Sequence, residues 1–147
     1  MAVNPDWSPD EMAALVDRSG RVVGAAPRAE MRRDNLLHAA TAVIVRNSSG
    51  EVYVHRRALT KDWAPGHHDC CAGGVMRPGE DPEPSARREL AEELGITGQV
   101  ALRSLGANLY EDDETRCREH AYEVTWDGPI SHPDSEVLSG EWMTLAA

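Results

Sequence analysis

Residues 81–95 form the clearest helix in the chain, and they constrain everything that can be built around them. Asp81 stands at an N-cap position, and Pro82 suits a first helical turn. Ser85 to Leu94 are mostly strong helix formers, and Gly95 supplies the left-handed backbone that ends a helix. On a wheel of about 100° per residue, Ala86, Leu90 and Leu94 make one apolar stripe that must face another layer. Glu89, Glu92 and Glu93 gather on the adjoining face at i+3 and i+4 spacing. Three carboxylates so placed repel one another. A divalent cation reverses the sign, because Mg²⁺ seeks hard oxygen ligands and completes its octahedron with water or phosphate oxygens. Arg88, one turn before Glu92, can fix a carboxylate through a bidentate contact. Without a cation, the same residues read as a solvated acidic face.

The flanking segments suggest strands. Leu15–Asp17 and Arg21–Gly24 surround a turn at Arg18–Gly20, and Ala29–Asn35 suits a short helix. His38–Val45 and Glu51–Arg56 flank Asn47-Ser48-Ser49-Gly50, which predicts a hairpin. Thr60–Gly79 is rich in Gly and Pro and reads as a functional loop around a short strand near Cys70–Gly74. Val100–Tyr110, Glu119–Trp126 and Glu141–Leu145 are further expected strands. Strands interleaved with one long helix indicate an α/β chain with a mixed sheet. Residues 1–11 are expected to be a loose tail, and 12–147 one domain with an N-terminal β-hairpin extension.

The formal net charge of −10 is the wrong sign for a nucleic-acid surface, so no polymeric nucleic acid is expected as partner. Any anionic ligand needs local Arg and Lys or a bridging cation. Three cysteines, Cys70, Cys71 and Cys117, fit neither a disulfide framework nor a CxxC zinc pattern, which suggests reduced thiols. The acidic first residues do not make a signal peptide, and the apolar stretch near Ala39–Val45 is too short to span a bilayer. A cytoplasmic protein without a membrane partner is the expectation.

Gly74, Glu80, Arg88, Glu89, Leu90, Glu92, Glu93, Gly95 and Ile96 match G-x5-E-x7-R-E-U-x-E-E-x-G-U, with U aliphatic, at every specified position. Residues 74–96 therefore resemble the Nudix box. The resemblance implies the Nudix fold, a mixed β-sheet sandwiched between helices (α/β/α). It also implies a hydrolase that cleaves a phosphoanhydride bond in a nucleotide-like or other X-linked diphosphate. Glu89, Glu92 and Glu93 would be ligands for Mg²⁺, with Mn²⁺ as a substitute, and the carbonyl of Gly73 would add another. Arg88 would orient a glutamate and Glu80 would brace the loop. Family habit suggests a homodimer.

Arg56-Arg57-Ala58-Leu59-Thr60-Lys61, with Trp63 and Pro65-Gly66 following, resembles isopentenyl-diphosphate isomerases, which share that fold. The likeness makes Arg57 and Lys61 candidates for gripping a diphosphate and places the chain in an isomerase-like branch; His38 stands where the isomerases have a metal-binding histidine. Gly73 occupies the place of their catalytic cysteine and Val75 that of a neighbouring histidine, so hydrolysis is favoured. Isomerisation and non-catalytic nucleotide binding are the alternatives.

His67-His68-Asp69-Cys70-Cys71 holds metal-binding residue types, but alternation along an extended chain would point consecutive side chains to opposite faces and keep all five from sharing one zinc ion. Within and beyond the acidic stretch Glu111–Glu114, Glu119 is the residue expected to add a further metal-binding carboxylate.

Overall fold

The computed structural model describes residues 10–133 and 137–145, so most of the tail expected over residues 1–11 lies outside the described residues. Glu11 is tied down: its carbonyl accepts the Arg28 N–H at 2.7 Å and its carboxylate takes the Arg77 guanidinium at 2.7 Å. β1 (Met12–Val16) and β2 (Val22–Pro27) pair antiparallel, turned by Asp17, whose Oδ1 accepts from the Ser19 and Arg21 amides. There follow α1 (Arg28–Arg33), β3 (His38–Arg46), β4 (Val52–Arg57), β5 (His68–Asp69) and β6 (Cys71–Val75). After them come α2 (Pro82–Leu94), β7 (Arg103–Glu111), β8 (Arg116–Thr125) and β9 (Val137–Met143). The sheet is mixed and the class is α/β, as expected.

The turn at Asn47–Gly50 forms: Asn47 N–H donates to the Glu51 carbonyl at 3.0 Å, and Gly50 takes φ +81°. Its two arms do not zip into the expected hairpin. Arg46 and Val52 pair at the base, and there the β3–β4 ladder stops. β3 instead takes β6 antiparallel across Ala40–Ile44 and β8 parallel along its whole length. β4 turns to β9 and β5. The cause lies in β3, an unbroken run of small and β-branched residues suited to burial on both faces. The turn fixes the reversal, but burial chooses the neighbours.

The strand ends also moved. β8 begins at Arg116, so Glu119 lies inside the strand rather than at its start, and β9 begins at Val137 rather than Glu141.

The two faces of β3 do different work. Val43 and Val45 point into the main core with Ala72 of β6, Val124 of β8 and Tyr53 of β4. The α2 stripe closes that core: Ala86, Leu90 and Leu94 are at most 1% exposed, and each leucine contributes about 2 kcal/mol by burial. At the N-terminus of α2, Asp81 has extended backbone but makes no side-chain cap, which corrects the expected capping role. At the other end Gly95 adopts φ +66°, and the Ile96 N–H reaches the Leu90 carbonyl at 3.3 Å, a Schellman closure that buries Ile96. The opposite face of β3 presents Ala40 and Ala42, whose small side chains leave a cavity above the strand. Among the described residues no helix is long and apolar enough to cross a membrane.

Candidate active site

Arg88 organises the acidic face of α2. Its guanidinium makes a bidentate pair with Glu80 (Nε to Oε2 3.0 Å, Nη2 to Oε1 3.1 Å). Its Nη1 donates to Glu89 Oε1 at 3.1 Å and to Glu92 Oε2 at 3.2 Å. One cation thus aligns three carboxylates. Burial works against the guanidinium's charge, but the Glu80 hydrogen bonds and the charges of Glu89 and Glu92 hold its pKa above the ordinary value. Burial likewise pushes Glu80 upward, and Arg88 together with the Arg77 amide outweighs it, leaving Glu80 below the usual carboxylate range. Glu80 also closes its own loop, since Arg77 N–H donates to its Oε1 at 3.0 Å and its N–H donates to the Arg77 carbonyl.

Strand β6 runs against these glutamates, and only glycine fits there. A Cβ on Gly74 would sit 2.8 Å from Glu89 Oε1, and one on Gly73 would collide with the Thr41 carbonyl. The Gly73 N–H donates to Glu93 Oε2 at 3.2 Å. Glu89 and Glu93 are buried at 6% and 2% exposure, while Glu92 is more open. Buried carboxylates are costly unless paired or placed for a cation. Hard anionic oxygens on a rigid helix, with glycine backbone drawn against them, fit the donor chemistry of Mg²⁺ or Mn²⁺.

The expected phosphate-binding residues border the same region. A cavity of about 350 Å³ lies over β3, lined by Arg57, Lys61, Gly73, Gly74 and Glu119 among others. Lys61 Nζ is 4.0 Å from Glu93 Oε1. Arg57 donates to the Trp63 carbonyl at 3.1 Å, stacks 5.3 Å from the Trp63 ring centroid and lies 3.6 Å from Asp69. Glu119 stands beside Ala40, which on its other side pairs with Val75; burial, with the nearby Asp69 charge, raises its pKa. His38 also lines the cavity, where burial pushes it down to about 4 and its Nδ1 bonds the Leu36 carbonyl at 3.0 Å.

Sequence reasoning missed Arg28, Arg32 and Asp62. Asp62 accepts from Arg28 at 3.1 and 3.2 Å and from Arg32 at 3.1 Å, while Arg32 also reaches Thr115 at 3.0 Å. Both arginines line the cavity wall. No local spacing signals this cluster, because α1 and the β4–β5 loop meet only in the folded chain. The acidic stretch is a hairpin tip: Asp112 accepts from the Glu114 and Thr115 amides, and Glu111 pairs with Arg18 and Arg116.

The sequence profile of the NUDIX domain matches residues 36–147. Orf19, a Nudix hydrolase of Rhodococcus erythropolis, is 41% identical over 145 residues, covering 92% of this chain and 78% of its own. The Nudix hydrolase YfcD of Escherichia coli K12 is 37% identical over 134 residues, covering 91% and 74%. Among solved structures, DR0079 of Deinococcus radiodurans superposes with a TM-score of 0.73 at 27% identity, over 91% of this chain and 83% of that one. An Ap4A hydrolase of C. elegans shares the fold at a TM-score of 0.56 and 18% identity, over 73% and 80%. An intact glutamate helix held by Arg88, a glycine strand drawn against it and a profile spanning most of the chain agree, and the chain belongs to the Nudix family of hydrolases.

Proposed function

We propose that this enzyme is a Mg²⁺-dependent hydrolase that cleaves the phosphoanhydride bond of a nucleotide-like or other X-linked diphosphate. Family membership supports hydrolysis of a diphosphate-containing substrate. The observation that carries the finer reading is the Arg88 cluster, which holds Glu80, Glu89 and Glu92 in one array beside Gly74.

Glu89, Glu92 and Glu93 would hold the cation, with the Gly73 carbonyl and Glu119 as further donors. When bound, it neutralises phosphate charge and acidifies water. Arg57 and Lys61 would hold the diphosphate oxygens from the cavity side, and a half-buried carboxylate such as Glu92 would take the proton of the attacking water. Water adds to phosphorus, the bridging oxygen leaves with its electron pair, and two phosphorylated products form. Arg88 orients the glutamates and Glu80 keeps Arg88 in place.

The test is a phosphate-release screen with Mg²⁺ across nucleoside di- and triphosphates, nucleotide sugars, dinucleotide polyphosphates and coenzyme A. Glu92→Gln and Glu93→Gln should each lower turnover by about 10²-fold or more while the fold survives. Wild-type rates from the doubly substituted protein would remove the proposal. Isopentenyl diphosphate belongs in the same screen, since isomerised product without phosphate release would favour the isomerase alternative.

A further inference from the structure

Asp69, Cys70 and Cys71 do not alternate as an unbroken strand requires. β5 ends at Asp69 and β6 starts at Cys71, and the chain bends at Cys70 between them. Asp69 Oδ1 accepts the Cys71 N–H at 2.9 Å, and that short loop draws three side chains to one side. A carboxylate oxygen and two thiol sulfurs lie within 4.8 Å of one another, the sulfurs 3.8 Å apart. The bend overrides the expected alternation for these three residues, while His67 and His68 stay outside the group.

We infer that Asp69, Cys70 and Cys71 form a binding site for one soft divalent cation of the zinc and cadmium class, separate from the glutamates of α2. The sulfur separation carries the argument. Two thiolates bound to tetrahedral zinc at about 2.3 Å lie about 3.8 Å apart, so the pair already spans one tetrahedral edge. Asp69 supplies an oxygen, and three protein ligands leave one position for water or an anion, the count of an open zinc site. Thiolates select soft ions, whereas Mg²⁺ prefers the all-oxygen set of α2. Cys70 is exposed and gives a path from solvent, while Cys71 faces the cavity. A cation there would also draw on Asp69, the carboxylate 3.6 Å from Arg57.

The test uses the full chain, reduced with a phosphine and freed of metal. Titration with Cd²⁺ should develop thiolate-to-metal charge-transfer absorption that saturates at one thiolate-bound Cd²⁺ per chain, and excess Zn²⁺ should compete for that site. Cys70→Ser and Cys71→Ser should each weaken Cd²⁺ binding by about 100-fold or more, and Asp69→Asn by about 10-fold. Cys117→Ser should keep the charge-transfer band. In the unsubstituted protein, bound Cd²⁺ should shield Cys70 and Cys71 from iodoacetamide and leave Cys117 unshielded, as read by peptide mass spectrometry. Binding without a thiolate band, which marks carboxylate ligation alone, overturns the inference. So does a band that survives both serine variants, or alkylation of Cys70 and Cys71 that Cd²⁺ leaves unchanged.

Discussion

Lys61 Nζ stands 4.0 Å from Glu93 Oε1, and both side chains are nearly sealed from solvent, at 6% and 3% exposure. The ammonium therefore provides positive charge beside a glutamate proposed to hold a cation. Removing one partner of a buried pair leaves the other charge poorly compensated. Lys61→Met should lower the unfolding free energy by about 3 kcal/mol without metal. Added Mn²⁺ should recover more of that stability than it adds to the unsubstituted protein. Thermal unfolding with and without Mn²⁺ measures both, and identical curves for the two proteins would count against the pairing.

Arg88→Lys keeps a positive charge but loses the planar fork that meets Glu80 at two points and reaches Glu89 and Glu92 with a third nitrogen. Mn²⁺ affinity should fall by about 10-fold or more, with the circular dichroism spectrum preserved. Paramagnetic titration of free Mn²⁺ gives the affinity directly.

Gly73 and Gly74 should separate in their response to alanine. At Gly73 the new carbon meets the Thr41 backbone, which cannot swing aside, so Gly73→Ala should be strongly destabilised or fail to accumulate. At Gly74 it meets the Glu89 carboxylate, which can rotate only by leaving Arg88. Gly74→Ala should fold and bind Mn²⁺ about 10-fold more weakly. A Gly74→Ala protein with unaltered affinity would show that Glu89 does not need its present position.

Acid should destabilise the fold through two buried histidines. Burial lowers His38 and His55 from 6.5 to about 4, the latter despite the nearby Asp69 charge. Their folded pKa values lie below the unfolded one, so the unfolded chain binds protons first. The contribution is full above pH 6.5 and is lost as pH falls toward 4, up to about 3 kcal/mol for each histidine. Urea unfolding at pH 7, 5.5 and 4.5 should show the decline, and His38→Gln should reduce its slope by about one proton. Constant stability across that interval would rule out buried neutral histidines.

The helix and its box were legible because their signals are local: Pro82 at its start, Gly95 at its end, an apolar stripe and glutamates at one helical spacing. The α/β class followed from the alternation of elements; resemblance made Arg57 and Lys61 candidates for diphosphate contacts, and both line the cavity. What escaped was decided by contacts between segments distant in sequence. Asp62 meets Arg28 and Arg32 only when α1 folds over the β4–β5 loop. The Asn47–Gly50 turn was clear, yet nothing near it indicated that β3 would choose β6 and β8 over β4. Asp69, Cys70 and Cys71 were assigned a strand's alternation because a one-residue break leaves no mark in composition.

The parallel alignment of β8 along β3 has a kinetic corollary. Those two segments flank everything from β4 to β7, so their union closes a long loop and must outrun a correspondingly large entropy cost. The α2 helix can coil early, yet its acidic array acquires its glycine wall only once β6 is zipped to β3. Tight Mn²⁺ uptake would therefore report completed assembly, distinguishing the native molecule from a chain that has merely gained helicity.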